Sequence, residues 1–274
     1  MPTDDLKDAS THFAFGKNWA SYARLIGDAE IEEARKGLTK LVPAEDLAGR
    51  SFLDIGCGSG LHALAAGSCG VGHILAVDVD ADSVATTREV LQRRQVPVPW
   101  KAEKISVFDL DPAEQGTFDV VYSWGVLHHT GAMVEAITKA ARMTRPGGLF
   151  AFALYRSTRS DRLWIAEKKW YAHAAPALQK MARGIYIAAF AAAFTARRGN
   201  FRRHVANYRS SRGMDWYHDV HDWLGGYPYE AILAPDVEIL MRKLGFEPVR
   251  VFARPMTTGL LGSGCDEYVY RRKV

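Results

Sequence analysis

Apolar and polar positions alternate in two registers along this chain, and the switch between them marks out its elements. Short apolar runs with period two fall at Ser51–Ile55, His73–Asp78, Ile105–Phe108, Phe118–Trp124 and Leu149–Tyr155, and each reads as a buried strand. Between them, residues at helical spacing predict helices over Leu61–Gly67, Ala81–Arg94 and Met133–Met143, with a proline-glycine turn at Arg145–Gly148 stopping the last. Ser21–Leu41 is amphipathic at helical spacing and ends near Pro43, so a helical segment precedes the sheet. After Tyr155 the alternation breaks for about eighty residues. It resumes with a helix over Pro235–Leu244, a strand over Pro248–Ala253 and a last strand over Asp266–Arg271, an antiparallel pair that closes the sheet. Strands alternating with helices predict an α/β fold with a mostly parallel sheet covered on both faces. The interruption predicts a helical lid inserted after the fifth strand.

The richest chemistry sits where the first strand ends. FLDIGCGSG spans Phe52 to Gly60, and ILAVDVD carries Asp78 eighteen residues beyond the last glycine. A strand, a glycine loop, a helix start and a second strand ending in an acid put the loop and the carboxylate on one sheet edge, where open α/β sheets bind nucleosides. A dinucleotide fingerprint needs glycine at the sixth place from Gly56, where Leu61 stands; the third glycine, Gly60, comes one place early. Asp54, aimed at the same crevice, would repel a pyrophosphate and attract an ammonium. Glycines 56 and 58 let the backbone pass close to a ligand. Asp78 is placed to accept from ribose hydroxyls.

FLDIGCGSG with Asp78, then ISVFDLDP, FDVVYSWGVLHHTG and RPGGLFAFALY, resembles the class I S-adenosylmethionine-dependent methyltransferases, the blocks falling in family order over Ser51 to Tyr155. HFAFGKNWASY, GMDWYHDVHDWLGGYPYE and GSGCDEYVYRR look like a bacterial subgroup acting on small molecules, with ubiquinone-methylase-like annotation. The resemblance implies a Rossmann-like seven-stranded, mostly parallel sheet with an antiparallel last strand. The expected divisions are 1–50, a helical segment covering the cofactor; 51–155, the S-adenosylmethionine-binding core; 156–234, a basic aromatic lid; and 235–274, the rest of the sheet. It also implies a cofactor site drawn from Phe15, Trp19, Asp54, Gly56, Cys57, Gly58, Asp78, Val79, Phe108, Asp109 and Trp124. In that site Asp109 accepts from the adenine amino group, Phe108 lies beside the ring, and Trp19 or Phe15 shields the sulfonium.

Methyl transfer from a sulfonium is an in-line displacement that chiefly needs positioning, with a base only where the acceptor loses a proton. Base candidates form two groups. His128 and His129 follow strand four, where the family lines the space between donor and acceptor; His128 reads better as a packed, hydrogen-bonded residue. The second group is Met214–Glu230, in which His218 and His221 are three apart, as are Asp219 and Asp222, so each pair shares a helix face. The candidates are His129, His218, His221 and Asp222. The same cluster could ligate zinc or iron, although the resemblance implies no metal, or form an aromatic lid with Trp216, Trp223, Tyr227 and Tyr229.

Composition sharpens the picture at three points. The 274 residues suffice for a full core, and Cys57, Cys69 and Cys265 lack zinc-ligand spacing, which fits a reducing cytoplasm. Met1–Ser10 is polar and acidic rather than signal-like, and the apolar run Gly184–Ala196 is shorter than the roughly 20 residues a bilayer crossing needs. The net charge of +4 conceals an asymmetry: Arg156–Arg212 holds 13 Lys and Arg against Asp161 and Glu167, leaving 22 bases and 29 acids elsewhere. A basic cap on an acidic body suits a small-molecule or carrier-bound acceptor that is anionic or lipophilic, or peripheral contact with a membrane. Nucleic acid is the enzymatic rival, disfavoured because SWGVLHH stands where base amino-methyltransferases carry an Asn-Pro-Pro-Tyr-type tetrapeptide, and no Pro-Cys nucleophile is present. A non-catalytic cofactor-binding regulator is the third reading, and the oligomeric state is open.

Overall fold

A computed structural model of the chain describes residues 6–8, 12, 13, 15–208 and 215–274, the side chains of 15, 17 and 18 excepted. Helices α1 (Phe15–Ala23), α2 (Asp28–Leu41) and α3 (Ala44–Leu47) lead into β1 (Ser51–Ile55). There follow α4 (Leu61–Ser68), β2 (His73–Asp78), α5 (Ala81–Arg93), β3 (Trp100–Lys104), α6 (Pro112–Gln115), β4 (Phe118–Trp124), α7 (Met133–Arg142) and β5 (Thr144–Tyr155). The lid then contributes α8 (Asp161–His173), α9 (Pro176–Ala196), α10 (Phe201–Ala206) and α11 (Trp216–Gly225). Helix α12 (Ala234–Lys243), β6 (Phe246–Phe252) and β7 (Cys265–Arg272) complete the chain.

The seven strands are ordered β3-β2-β1-β4-β5-β7-β6. β1 to β5 run parallel, and β7 is antiparallel to both β5 and β6. This is the Rossmann-like methyltransferase sheet that the sequence predicts. Strand order reverses between β1 and β4, so the loops that leave them face one crevice.

Period-two alternation divides the apolar side chains between two cores. Phe52, Ile74, Ala76, Val120 and Tyr122 face α2, α4 and α5, while Leu53, Ile55, Val77, Val121 and Phe152 face α7 and α12. Each of the larger side chains, such as the fully buried Phe52 and Phe152, contributes about 1.5–3 kcal/mol. A third, smaller core lies in the lid, where Tyr171, Tyr208, Trp216, Val220 and Leu224 pack together.

Three boundaries differ from the sequence reading. The single helix expected over Ser21–Leu41 is two helices, parted at 24–27, with Gly27 capping α2. Strand three is not Ile105–Phe108: β3 lies at Trp100–Lys104, and Val107–Asp109 turns as a 3-10 helix whose cap, Ser106, accepts from the Phe108 N–H. The segment 145–148 belongs to β5, whose pairing with β4 shifts register there rather than starting anew at Leu149.

Arg156, just past β5, ties the root of the lid to β7. Its guanidinium donates to Asp266 Oδ1 from Nε at 2.8 Å and Nη2 at 2.5 Å, with both side chains buried.

Candidate functional site at the sheet switch point

The glycine loop turns sharply because its residues can adopt left-handed backbone. Gly56 has φ of +77° and Gly58 of +50°, and the Gly56 and Cys57 N–H groups donate to Val77 O, pinning the loop to β2. A Cβ on Gly56 would stand 2.4 Å from Val126 Cγ2, so the loops after β1 and β4 meet there without room for a side chain. Cys57 is buried, and its sulfur accepts from the Thr87 hydroxyl.

Two carboxylates converge on this loop. Asp54 in β1 is 2% exposed, and its Oδ2 has no hydrogen-bond partner among the described residues. Burial, with the nearby Asp78 charge, raises its pKa to about 7, against the lowering effect of the Ala63 N–H. Asp78, at the end of β2, accepts from Gly58 N–H through Oδ2 and from Asp80 N–H through Oδ1, each at 3.0 Å. Burial raises its pKa to about 6. An orphaned buried carboxylate oxygen beside a glycine loop is a fit for a cationic group, and it is the wrong charge for pyrophosphate.

Helix α1 covers the loop. Its backbone at Gly16 lies against Asp80, where an added Cβ would fall 1.7 Å from Oδ2, and Trp19 lies across Gly58 at van der Waals distance. Phe15 belongs to the same helix, but its side chain lies outside the described residues. The remaining cofactor-set residues are spread around the edge. Val79 is 41% exposed, Asp109 is exposed, and Phe108 is partly buried with Lys7 5.2 Å above its ring. Trp124 turns its indole N–H to Glu267 on β7, 3.1 Å away.

After β4 and on α11 the histidines are already engaged. His129 donates from Nδ1 to Pro228 O at 2.8 Å, and burial lowers its pKa to about 3. His128 is fully buried; Tyr155 N–H donates to its Nδ1 at 3.3 Å, and its ring centre lies 3.8 Å from that of Tyr155, the planes tilted by 38°. His221 shares a network in which Tyr171 Oη lies 2.8 Å from Nδ1 and Arg183 donates to both, at 3.0 Å each. Burial, reinforced by Arg183, lowers the His221 pKa to about 4. His218 instead lies in the first turn of α11, which Asp215 caps; its Nδ1 is 3.0 Å from Asp215 Oδ1, and its Nε2 reaches Ser21 on α1. Asp222 is buried on α11. The two helix histidines therefore serve different partners: His218 meets α1, and His221 meets α8 and α9. Among the described residues no group of three or more His, Cys, Asp or Glu is placed to hold a metal ion.

Lys168 and Tyr155 escaped the sequence reading. The Lys168 ammonium is fully buried, donates to Trp223 O and lies 3.6 Å above the Trp223 ring, with Tyr229 and Trp164 at 5.4 and 5.5 Å. Burial pushes it well below the ordinary lysine range, partly offset by the Glu167 carboxylate. The WIAEK segment carried the available signal, since it sets Lys168 one helical turn from Trp164. A cavity of about 750 Å³ opens at the far end of the lid, between Ala191 and Arg202, and no residue of the switch-point crevice lines it.

The comparisons agree with this geometry. Residues 53–152 match the family described as a methyltransferase domain. The tRNA U34 carboxymethyltransferase of Trichlorobacter lovleyi is 36% identical over 110 residues, 40% of this chain and 33% of that protein. The ubiquinone biosynthesis O-methyltransferase of Xanthomonas oryzae pv. oryzae is 31% identical over 132 residues, 48% of this chain and 54% of that protein. The chain thus spans between a third and about half of the curated relatives it matches. Magnesium protoporphyrin IX methyltransferase from Synechocystis PCC 6803, solved with bound S-adenosylmethionine, superposes with a TM-score of 0.56 at 12% identity, over 99% of this chain and 97% of that one. A methyltransferase structure from Listeria monocytogenes gives 0.53 at 14% identity, over 89% and 99%.

Residues 53–152 thus match a methyltransferase domain, and the sheet has the fold of a methyltransferase solved with bound S-adenosylmethionine.

Proposed function

We propose that this protein transfers a methyl group from S-adenosylmethionine to a small-molecule or carrier-bound acceptor. The observation that carries the reading is Asp54, a buried carboxylate with an orphaned oxygen at the switch point, beside a glycine loop already organised by Asp78. When bound, the cofactor supplies an electrophilic methyl group on a sulfonium. Asp54 holds the methionine ammonium, and Asp78 keeps free lone pairs for the ribose hydroxyls while bracing the loop. Asp109 and Phe108 take the adenine, with Cys57, Val79 and Trp124 completing the wall. Helix α1, through Trp19, shields the donor from water.

His129, His218, His221 and Asp222 belong to the acceptor side. With the first of these depressed to about pKa 3 and His221 to about 4, both imidazoles are neutral at physiological pH, and each already uses a ring nitrogen. Such groups orient an acceptor better than they deprotonate it. The reading therefore favours catalysis by positioning.

The test is calorimetry with S-adenosylhomocysteine, followed by incubation of the protein with label-bearing donor and fractionated cell extract. Label entering metabolites or carrier-bound compounds is the expected result. Saturable binding without transfer to any fraction would leave a cofactor-binding regulator instead.

One observation favours nucleic acid as a second reading. Arg197, Arg198, Arg202 and Arg203 are all exposed around the α9–α10 junction, in the lid segment that carries the excess of bases. Phosphate contacts would make binding strongly salt-dependent, so anisotropy with bulk tRNA between low and physiological salt separates the two. The small-acceptor reading expects no tight, salt-sensitive complex. No helix among the described residues is long and apolar enough to cross a membrane. Cytoplasmic location and peripheral membrane contact belong with this proposal.

A further inference from the structure

Lys168 and His128 are buried donors that the fold does not satisfy. The lysine has three N–H bonds to donate and one hydrogen-bond partner, Trp223 O; the neighbouring Glu167 carboxylate, its Oε2 buried and unpartnered among the described residues, offsets the charge only through space. A fully buried ammonium costs several kcal/mol unless it is paired. His128 accepts the Tyr155 N–H at Nδ1, so in its neutral form the proton is on Nε2, and that buried nitrogen has no partner. Burial, the nearby His129 and the Lys168 charge together hold His128 neutral, which places the lysine within electrostatic reach of it.

Flat aromatic faces separate these donors. Tyr155 packs at a tilt on His128 at 3.8 Å and meets Trp223 at 5.2 Å and Tyr229 at 5.3 Å. Lys168 sits on the Trp223 ring, with Trp164 edge-on to it at 5.0 Å. The group lies past the C-terminal ends of β4 and β5, on the side of the crevice next to His129.

We infer that this box is the acceptor subsite and that it takes a small aromatic anion, a carboxylate or phenolate, whose charged oxygen is held by Lys168 while its ring lies against the faces of Trp223 and Tyr229, with the His128 Nε2–H a separate polar donor beyond Tyr155. The inference rests on the methyltransferase reading. It gives Lys168 a specificity-determining role: the cation selects an acidic acceptor, and an oxygen that arrives already ionised needs no protein base. In the absence of such an anion the lysine occupies the box itself, held by the aromatic faces.

The test uses three singly substituted benzenes of different charge, benzoate, its neutral isostere benzamide and the cation benzylamine, titrated by saturation-transfer NMR against protein saturated with S-adenosylhomocysteine. Benzoate is expected to bind the wild type at least roughly tenfold more tightly than either other probe. Lys168→Met, which keeps the buried stem, is expected to lose that preference, and Lys168→Arg to retain part of it. Binding of S-adenosylhomocysteine should be unchanged in both variants. Benzamide or benzylamine matching benzoate, or Lys168→Met keeping the benzoate preference, overturns the inference. Should Lys168→Met fail to fold, Lys168→Gln and the probe ranking on the wild type decide it. Failure of S-adenosylhomocysteine to bind the wild type would instead count against the methyltransferase reading, so the two failures are distinguishable.

Discussion

Replacing Asp54 by Asn tests whether its buried charge is held in readiness for a cation. The fold raises this carboxyl from 3.8 to about 7, which makes its ionised form cost on the order of 4 kcal/mol more than in water. Relaxation around a buried charge trims this, and about 2 kcal/mol, or roughly 5 °C in Tm for a chain of this size, is the working expectation. The sign follows from proton counting: between pH 4 and 7 the folded carboxyl keeps a proton that the unfolded chain has lost. This group therefore makes the ligand-free protein less stable as pH rises through that window. Asparagine does not titrate, so the Tm difference between Asp54→Asn and wild type should move in the variant's favour from pH 5 to pH 8, whatever constant offset the amide brings. Scanning fluorimetry across that range measures it. The same variant should bind S-adenosylhomocysteine about 10- to 100-fold more weakly, through loss of a charge-assisted hydrogen bond to the ammonium worth about 1.5–3 kcal/mol. A Tm difference that does not change with pH, together with unaltered affinity by calorimetry, would refute the reasoning.

Asp78→Ala should weaken S-adenosylhomocysteine by a similar factor and loosen the loop, since the Gly58 and Asp80 N–H groups both lose their acceptor; unchanged affinity in a folded variant counts against the ribose role. For His129 and His221, depressed from 6.5 to about 3 and about 4, NMR should show no imidazole titration from pH 5.5 to 8. The stability they contribute is complete above pH 6.5 and lost as pH falls toward those values, so His129→Asn should blunt acid unfolding; a wild-type acid limb in that variant would argue otherwise. Removing one partner of the buried Arg156–Asp266 pair, as in Asp266→Ala, should cost about 3–5 kcal/mol by urea denaturation, while a double apolar replacement recovers much of it. Equal losses in the single and double variants would contradict a role for the uncompensated guanidinium.

The strands at the switch point were legible because they are buried on both faces. β1, β2 and β4 have the boundaries their apolar runs predict, and a run such as FLDI has no other use in so polar a stretch. β3 was misread for the opposite reason. It is an edge strand, WKAEK, in which Ala102 alone is buried, while the more apolar Ile105–Phe108 is spent on a turn that Ser106 caps. The carboxylates of the crevice were readable from the loop beside them. Lys168 was not, since a lysine in an amphipathic helix is ordinarily solvated, and its burial is decided by Trp223 and Tyr229, 55 and 61 positions further on. The histidines of α11 showed their shared helical spacing, but not that one would face α1 and the other Arg183.

Helix α1 touches both ends of the machinery. One side presses Gly16 to Asp80 and Trp19 to Gly58; further along, Ser21 and Tyr22 engage His218 on α11. The nine residues of α1 are thus a wall shared by the glycine loop and α11, and on the proposed reading a donor that parted Trp19 from Gly58 would also strain the contacts of Ser21 and Tyr22 with His218.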